Sequence, residues 1–397
     1  MASLVMQPPT TNLGDENKAS AIKSPTSKWR GFIRRFAPSW FAIVMGTGII
    51  SILLYKLPYN GAWIYWISVV IFVLDITLFT IFFSISALRY LCYPRLWRAM
   101  ITHPVESLFL ATCPMSVGII VQGIVNICVP AWGFWAATLA WALWWVEVVA
   151  SIAICLHIPY NIMSIYKTDI ASVTPFWLLP IVSTIICAAT GGMVAGALPN
   201  PAHALWTLIV SYILWGIGIP LALFTLILYY HRLTLHSIPA PAVLSSVFLP
   251  LGPLGEGGFG IMKLGDVSRT VFPATQTLSL ASDAGDIVYV FGFFTALLLW
   301  GFGLAWLFWG AMTCARTRPP FNMGYWSIVF AIGVFTGSTI TLGEEMGSRF
   351  FKILGTVCTV ILILFWILVF AFTVYGTITG DLLVSPSLKQ LEDESSG

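Results

Sequence analysis

The residues of this chain with chemistry to offer are three carboxylates set inside long apolar stretches, Asp75, Glu147 and Glu256. At membrane depth a carboxylate either carries a proton or anchors one helix to another. Glu256 stands in the run LGPLGEGGFG, Leu251 to Gly260, where glycines leave space around it, and it is the candidate proton relay. Asp75 and Glu147 sit in longer, glycine-poor stretches and are expected to pack through hydrogen bonds. His103, His157, His203, His231 and His236 lie near the ends of apolar stretches, where interfacial solvation explains them better than haem or metal ligation. The seven cysteines, Cys92, Cys113, Cys128, Cys155, Cys187, Cys314 and Cys358, show no paired spacing and read as buried free thiols. No catalytic residue, metal site or cofactor is expected.

The elements that hold these residues are membrane helices. Hydrophobic residues make up 58% of the 397 and charged residues 9%, with a mean hydropathy of +0.90, more apolar surface than a soluble core can hide. Ten stretches, near 36–56, 62–90, 105–129, 132–160, 174–198, 204–231, 239–262, 286–315, 323–343 and 350–378, are each about the length that crosses a bilayer as helix. The fold expected is all-α and integral to the membrane. Residues 1–35 form a polar N-terminal tail expected to be disordered and without a cleavable signal, 36–378 the transmembrane domain, and 379–397 a second tail. With the N-terminus inside, 14 of the 19 Lys and Arg residues fall on the cytoplasmic side and 5 on the other, which favours both termini cytoplasmic. The net charge of +3 is too small to imply a nucleic-acid partner, and membrane lipid is the surrounding phase.

Short stretches alternate with long ones. The short ones open near Pro38, Pro104, Pro175, Pro241 and Pro320, at intervals of 66, 71, 66 and 79 residues, so the chain reads as five copies of one helical hairpin. The short stretches carry 16 glycines in 111 residues against 9 in 145 for the long ones. Glycine permits close approach and bending, so the short helices are expected to face the axis of a quasi-fivefold ring with a central pore. They also carry prolines (Pro114, Pro180, Pro250, Pro253) and hydroxyls, the makings of a polar lumen of bent helices. The expected pore-lining and anion-binding residues are Gly46, Thr47, Gly48, Thr112, Cys113, Ser116, Ser183, Thr184, Phe248 and Leu249. None of the basic residues falls at mid-span, so an anion there would meet hydroxyls, freed backbone N–H groups and helix starts rather than a fixed cation.

Three passages carry a family resemblance: RFAPSWFAIVMGTG from Arg35 to Gly48, His103-Pro104-Val105-Glu106 opening the third stretch, and the glycine-rich seventh. Over residues 34–378 they resemble the tellurite-resistance/dicarboxylate transporter (slow anion channel-like) family, most of all its fungal sulfite efflux branch. The resemblance implies ten helices around a fivefold axis with odd-numbered helices inside, a homotrimer, and plasma-membrane export of a small inorganic anion such as sulfite or bisulfite. It also implies a mid-pore phenylalanine gate on the ninth helix with an aromatic four residues before it, which Trp326 and Phe330 match. A proton-coupled malate permease is the alternative, and a membrane receptor or enzyme a distant third. The tails are too short for the phosphorylated extensions that gate the plant channels.

Overall fold

A computed structural model describes residues 28–165, 169–236, 241–279, 281–317, 321–380, 382 and 388. Its helices are α1 (Lys28–Arg35), α2 (Phe41–Tyr55), α3 (Ala62–Cys92), α4 (Pro94–Thr102), α5 (Thr112–Gly123), α6 (Val129–Trp132), α7 (Phe134–Ile165), α8 (Leu178–Ala197), α9 (Pro201–His236), α10 (Leu251–Thr275), α11 (Ala284–Arg316), α12 (Tyr325–Glu345) and α13 (Arg349–Thr379). A π-helical turn, Ile124–Cys128, joins α5 to α6 and makes Glu106–Trp132 one span. Among the described residues, nine helices are long and apolar enough to cross a membrane. α10 has the length, 25 residues, but its Glu256, Lys263, Asp266 and Arg269 lower its hydropathy.

Proline opens the helical turns of three short spans, at Pro38, Pro175 and Pro241, whereas Pro104 lies in a turn ahead of its helix and Pro320 lies outside the described residues. Pro38 and Pro175 each open a three-residue 3-10 turn, where the missing N–H would have had no partner and the fixed φ suits a helix start. The short spans are then buried and the long ones are not: 72–100% of the spans containing α2, α5, α8 and α12 is buried, against 22–39% of α3, α7, α9, α11 and α13. α2 packs on α5 and α12, α5 on α8, α8 on α10, and α10 on α12. Five helices thus touch in a closed cycle. The long helices clothe it: α3 lies on α2, α7 on α5 and α8, α9 on α8 and α10, α11 on α10, and α13 on α12 and α2.

Glycine makes the tight contacts of the cycle possible. A Cβ at Gly255 of α10 would come within 2.6 Å of the Phe335 backbone on α12, and one at Gly260 within 3.2 Å of the Ala189 backbone on α8. Gly46 of α2 has Trp326 of α12 2.7 Å from where its Cβ would be, and the Trp326 Nε1 donates to Thr373 Oγ1 of α13 at 2.9 Å. Gly46→Leu is therefore expected to wedge α2 from α12 and cost about 1–3 kcal/mol, whereas Gly216→Leu on α9, where an added Cβ meets no atom within 4 Å, is tolerated. Thermal unfolding of the two purified variants checks the contrast.

Two of the expected boundaries differ in the structure. The N-terminal tail is not disordered throughout, because Lys28–Arg35 forms α1, whose Phe32 packs against the core and lies 6.3 Å from the Phe36 ring. Residues 1–27 lie outside the described set. The seventh helix runs to Thr275 rather than 262, with Lys263 paired to Asp266 at 3.2 Å and Arg269 to Asp286 at 2.8 Å. At the far end Gly380, with φ +86°, takes the left-handed conformation that stops α13, and Leu382 folds back onto Gly376. Most of 379–397 lies outside the described residues.

Candidate functional site

Residues opening several of the repeats meet at one end of the cycle. A cavity of about 300 Å³ there is lined by Ala37, Ser39, Glu106, Phe176, Asn322 and Gly324, among others. Its rim is locked by Arg89 of α3, whose guanidinium donates to the Phe36 carbonyl and pairs with Glu106 at 3.5 Å, both side chains buried. His103 turns the chain into this rim: its Nδ1 accepts the backbone N–H groups of Val105 and Glu106 at 3.2 and 3.0 Å. Partial burial lowers the His103 pKa, in keeping with a ring nitrogen that accepts.

Further along the cycle Phe330 of α12 is 3% exposed, one helical turn from Trp326 and on the same face. The other expected lining residues are placed as follows. Thr112 donates to the carbonyls of Pro38 (3.0 Å) and Phe109 (2.6 Å), and Ser116 to those of Phe41 (3.1 Å) and Thr112 (2.8 Å), so both tie the third span to the first. Ser183 donates to the Pro180 carbonyl and Thr184 to that of Ile181. Thr184 also faces Gly218 of α9, Thr47 accepts from Trp366 of α13 at 3.3 Å, and Phe248 presses its ring on Gly310 of α11. These three turn toward peripheral helices instead of the axis. Gly48 abuts Asp75 and Ile119, Leu249 is buried, and Cys113 is partly exposed. The expectation of free hydroxyl donors overlooked how readily Ser and Thr in helices bond carbonyls three or four residues back.

The buried carboxylates separate. Asp75 is fully buried, and among the described residues neither of its carboxyl oxygens has a hydrogen-bond partner, so the hydrogen-bonded packing expected of it is not found there. Glu147 lies against Gly118 of α5 and beside the Cys187 thiol of α8. Glu256 is different. Its Oε1 accepts from Gln122 Nε2 at 2.9 Å, and the same amide donates to Thr190 Oγ1 at 3.1 Å. Three neighbouring helices of the cycle, α5, α8 and α10, therefore meet through one polar cluster. Gln122 and Thr190 were missed from sequence; the available signal was an uncharged amide in an apolar span, two residues before a π turn of the kind that often marks functional sites.

Lys56, the residue that caps the C-terminal end of α2, completes this layer. Its Nζ sits 4.0 Å from the centroid of the Phe259 ring of α10, and it feels the charges of Lys263, Glu344 and Glu256. Ala189 and Met193 of α8, with Phe259, form a small apolar cluster beside it, with Val125 packed against them. The cycle thus has an ion-paired mouth where its helices start, a buried aromatic along α12, and a polar layer toward the end where α2 finishes.

A multi-pass helical membrane protein built on a closed cycle of five buried helices is the class this geometry defines. Residues 35–374 match the voltage-dependent anion channel family, SLAC1, and the chain belongs to that family. It is 45% identical over 350 residues to the sulfite efflux pump SSU1 of Arthroderma benhamiae, covering 88% of this chain and 93% of the relative, and equally to that of Trichophyton rubrum. The malic acid transport protein of Schizosaccharomyces pombe is 26% identical over 370 residues, covering 91% of this chain and 83% of the relative.

Proposed function

We propose that the chain is a plasma-membrane transporter, not an enzyme, that exports sulfite or bisulfite through the middle of a ten-helix ring, with both termini cytoplasmic and three copies in the assembly. The closed cycle of five glycine-bearing helices carries this reading, because it puts α10, with its buried Glu256, among protein instead of lipid. The 45% identity to sulfite efflux pumps favours the substrate. Phe330 is the gate, and Gly46, Cys113, Ser183 and Leu249 belong to the constricted level. Sulfite flux from proteoliposomes containing the purified chain tests the proposal.

Malate is the second reading, favoured by the similarity to a malic acid transport protein and by Glu256 as a proton carrier. Glu256→Gln separates the two uses of this residue. If Glu256 relays protons, the variant retains anion movement but loses the dependence of uphill transport on an imposed pH gradient, a dependence of about tenfold per pH unit for each proton coupled in the native protein. Sulfite and bisulfite interconvert near neutral pH, so the diagnostic quantity is the difference between native and variant. A variant that remains fully gradient-driven makes the Gln122–Glu256 pair a helix anchor.

A further inference from the structure

The sequence offers no cation at mid-span, yet the structure brings one into the pathway's polar layer. We propose that Lys56, seated on the ring of Phe259, is a fixed cation that binds a small oxyanion at the end of the pathway where α2 finishes. The proposal rests on the anion-pathway reading and adds to it a binding site at a defined place.

Three observations carry it. Lys56 is partly buried, and among the described residues no hydrogen bond or ion pair engages its ammonium, although Glu344 and Glu256 are near enough to be felt. Phe259 holds it through the face of its ring at 4.0 Å, a contact that positions a cation. The ammonium protons that do not face the ring are left for an acceptor. Glu256, whose charge Lys56 feels, is joined through Gln122 to Thr190; among the described residues Thr190, unlike Thr184, donates to no carbonyl of its own helix, so its buried hydroxyl keeps a proton to donate. Gln122 spends both amide protons on Thr190 and Glu256. The amide thus engages Glu256 Oε1, and among the described residues no ion pair joins this carboxylate to Lys56.

The ligand this chemistry selects is a small, singly or doubly charged oxyanion. Its oxygens accept the ammonium and hydroxyl protons, and its charge supplies the partner that Lys56 lacks within the protein. Glu256 and Glu344 nearby keep the hold weak, so the ion can leave. A dicarboxylate as long as malate places a second negative charge toward these carboxylates and is disfavoured. The site is therefore a specificity determinant as well as a landing point.

The test is the concentration dependence of sulfite flux into vesicles containing the full-length protein, with sulfite presented at the end where α2 finishes. Lys56→Gln is expected to raise the half-saturating sulfite concentration about fivefold or more, the scale of a hydrogen bond to a charged group at a partly buried site, while Lys56→Arg stays within about twofold of native. Phe259→Leu, which leaves the lysine and removes its seat, is expected to raise it about twofold to threefold. Half-saturation unchanged in Lys56→Gln, or in Phe259→Leu should the lysine variant not fold, overturns the site. Sulfite-dependent thermal stabilisation of the purified protein is the second readout. If the native protein moves no anion yet sulfite stabilises it and not Lys56→Gln, the pathway reading fails and the site stands; flux that rises in Phe330→Ala with half-saturation unaltered by Lys56→Gln leaves the pathway and removes the site.

Discussion

Phe330→Ala is expected to raise anion flux by at least about tenfold, the rate change that corresponds to lowering a barrier by about 1.4 kcal/mol. Phe330 is 3% exposed and lies one turn from Trp326, which Gly46 of α2 and Thr373 of α13 hold on two sides. Alanine removes the ring while leaving that anchor in place, so the helix keeps its position and the constriction opens. The truncation also leaves a cavity, with a cost of about 3–5 kcal/mol if the site were ordinary dry core. The two accounts diverge in what is measured. A gate gives faster flux of small anions with a modest loss of melting temperature; a packing residue gives a large loss of melting temperature with flux unchanged or reduced.

The second large effect is on stability. Glu106→Ala is expected to cost about 3–5 kcal/mol, because it leaves the Arg89 guanidinium buried with its carboxylate partner gone. Arg89 would keep its bond to the Phe36 carbonyl, so the damage should be local to the mouth where the first three repeats begin. Glu106→Asp, with the charge kept, should recover part of the loss. Thermal unfolding in detergent measures both. An alanine variant that melts with the native protein would mean that the pair does not hold the mouth.

The repeat was legible because its causes are local. Proline at helix starts and glycine at close approaches are written at fixed spacing, and the buried helices are the glycine-rich ones, as the contacts of Gly46, Gly255 and Gly260 explain. What was not legible is rotation. Composition places Thr47, Thr184 and Phe248 on inner helices but does not say that they look outward to α13, α9 and α11. That direction is set by which glycine lets which neighbour in. The extension of α10 past residue 262 was hidden because polar residues usually end a membrane span, whereas here Lys263 and Arg269 find carboxylates on the helix itself and on α11. Glu256 stood out in the sequence as a carboxylate among glycines. Its partners Gln122 and Thr190 come from spans 134 and 66 residues before it, and only the closed cycle brings them together.

We propose that these five helices enclose a path for a small inorganic anion. The direct measurement is the initial rate of sulfite, malate, nitrate and chloride movement, each at the same concentration, in proteoliposomes containing the purified native chain, against protein-free vesicles. Sulfite moving well above background and faster than malate is the result expected. Malate moving while sulfite stays at the rate of protein-free vesicles would contradict the account.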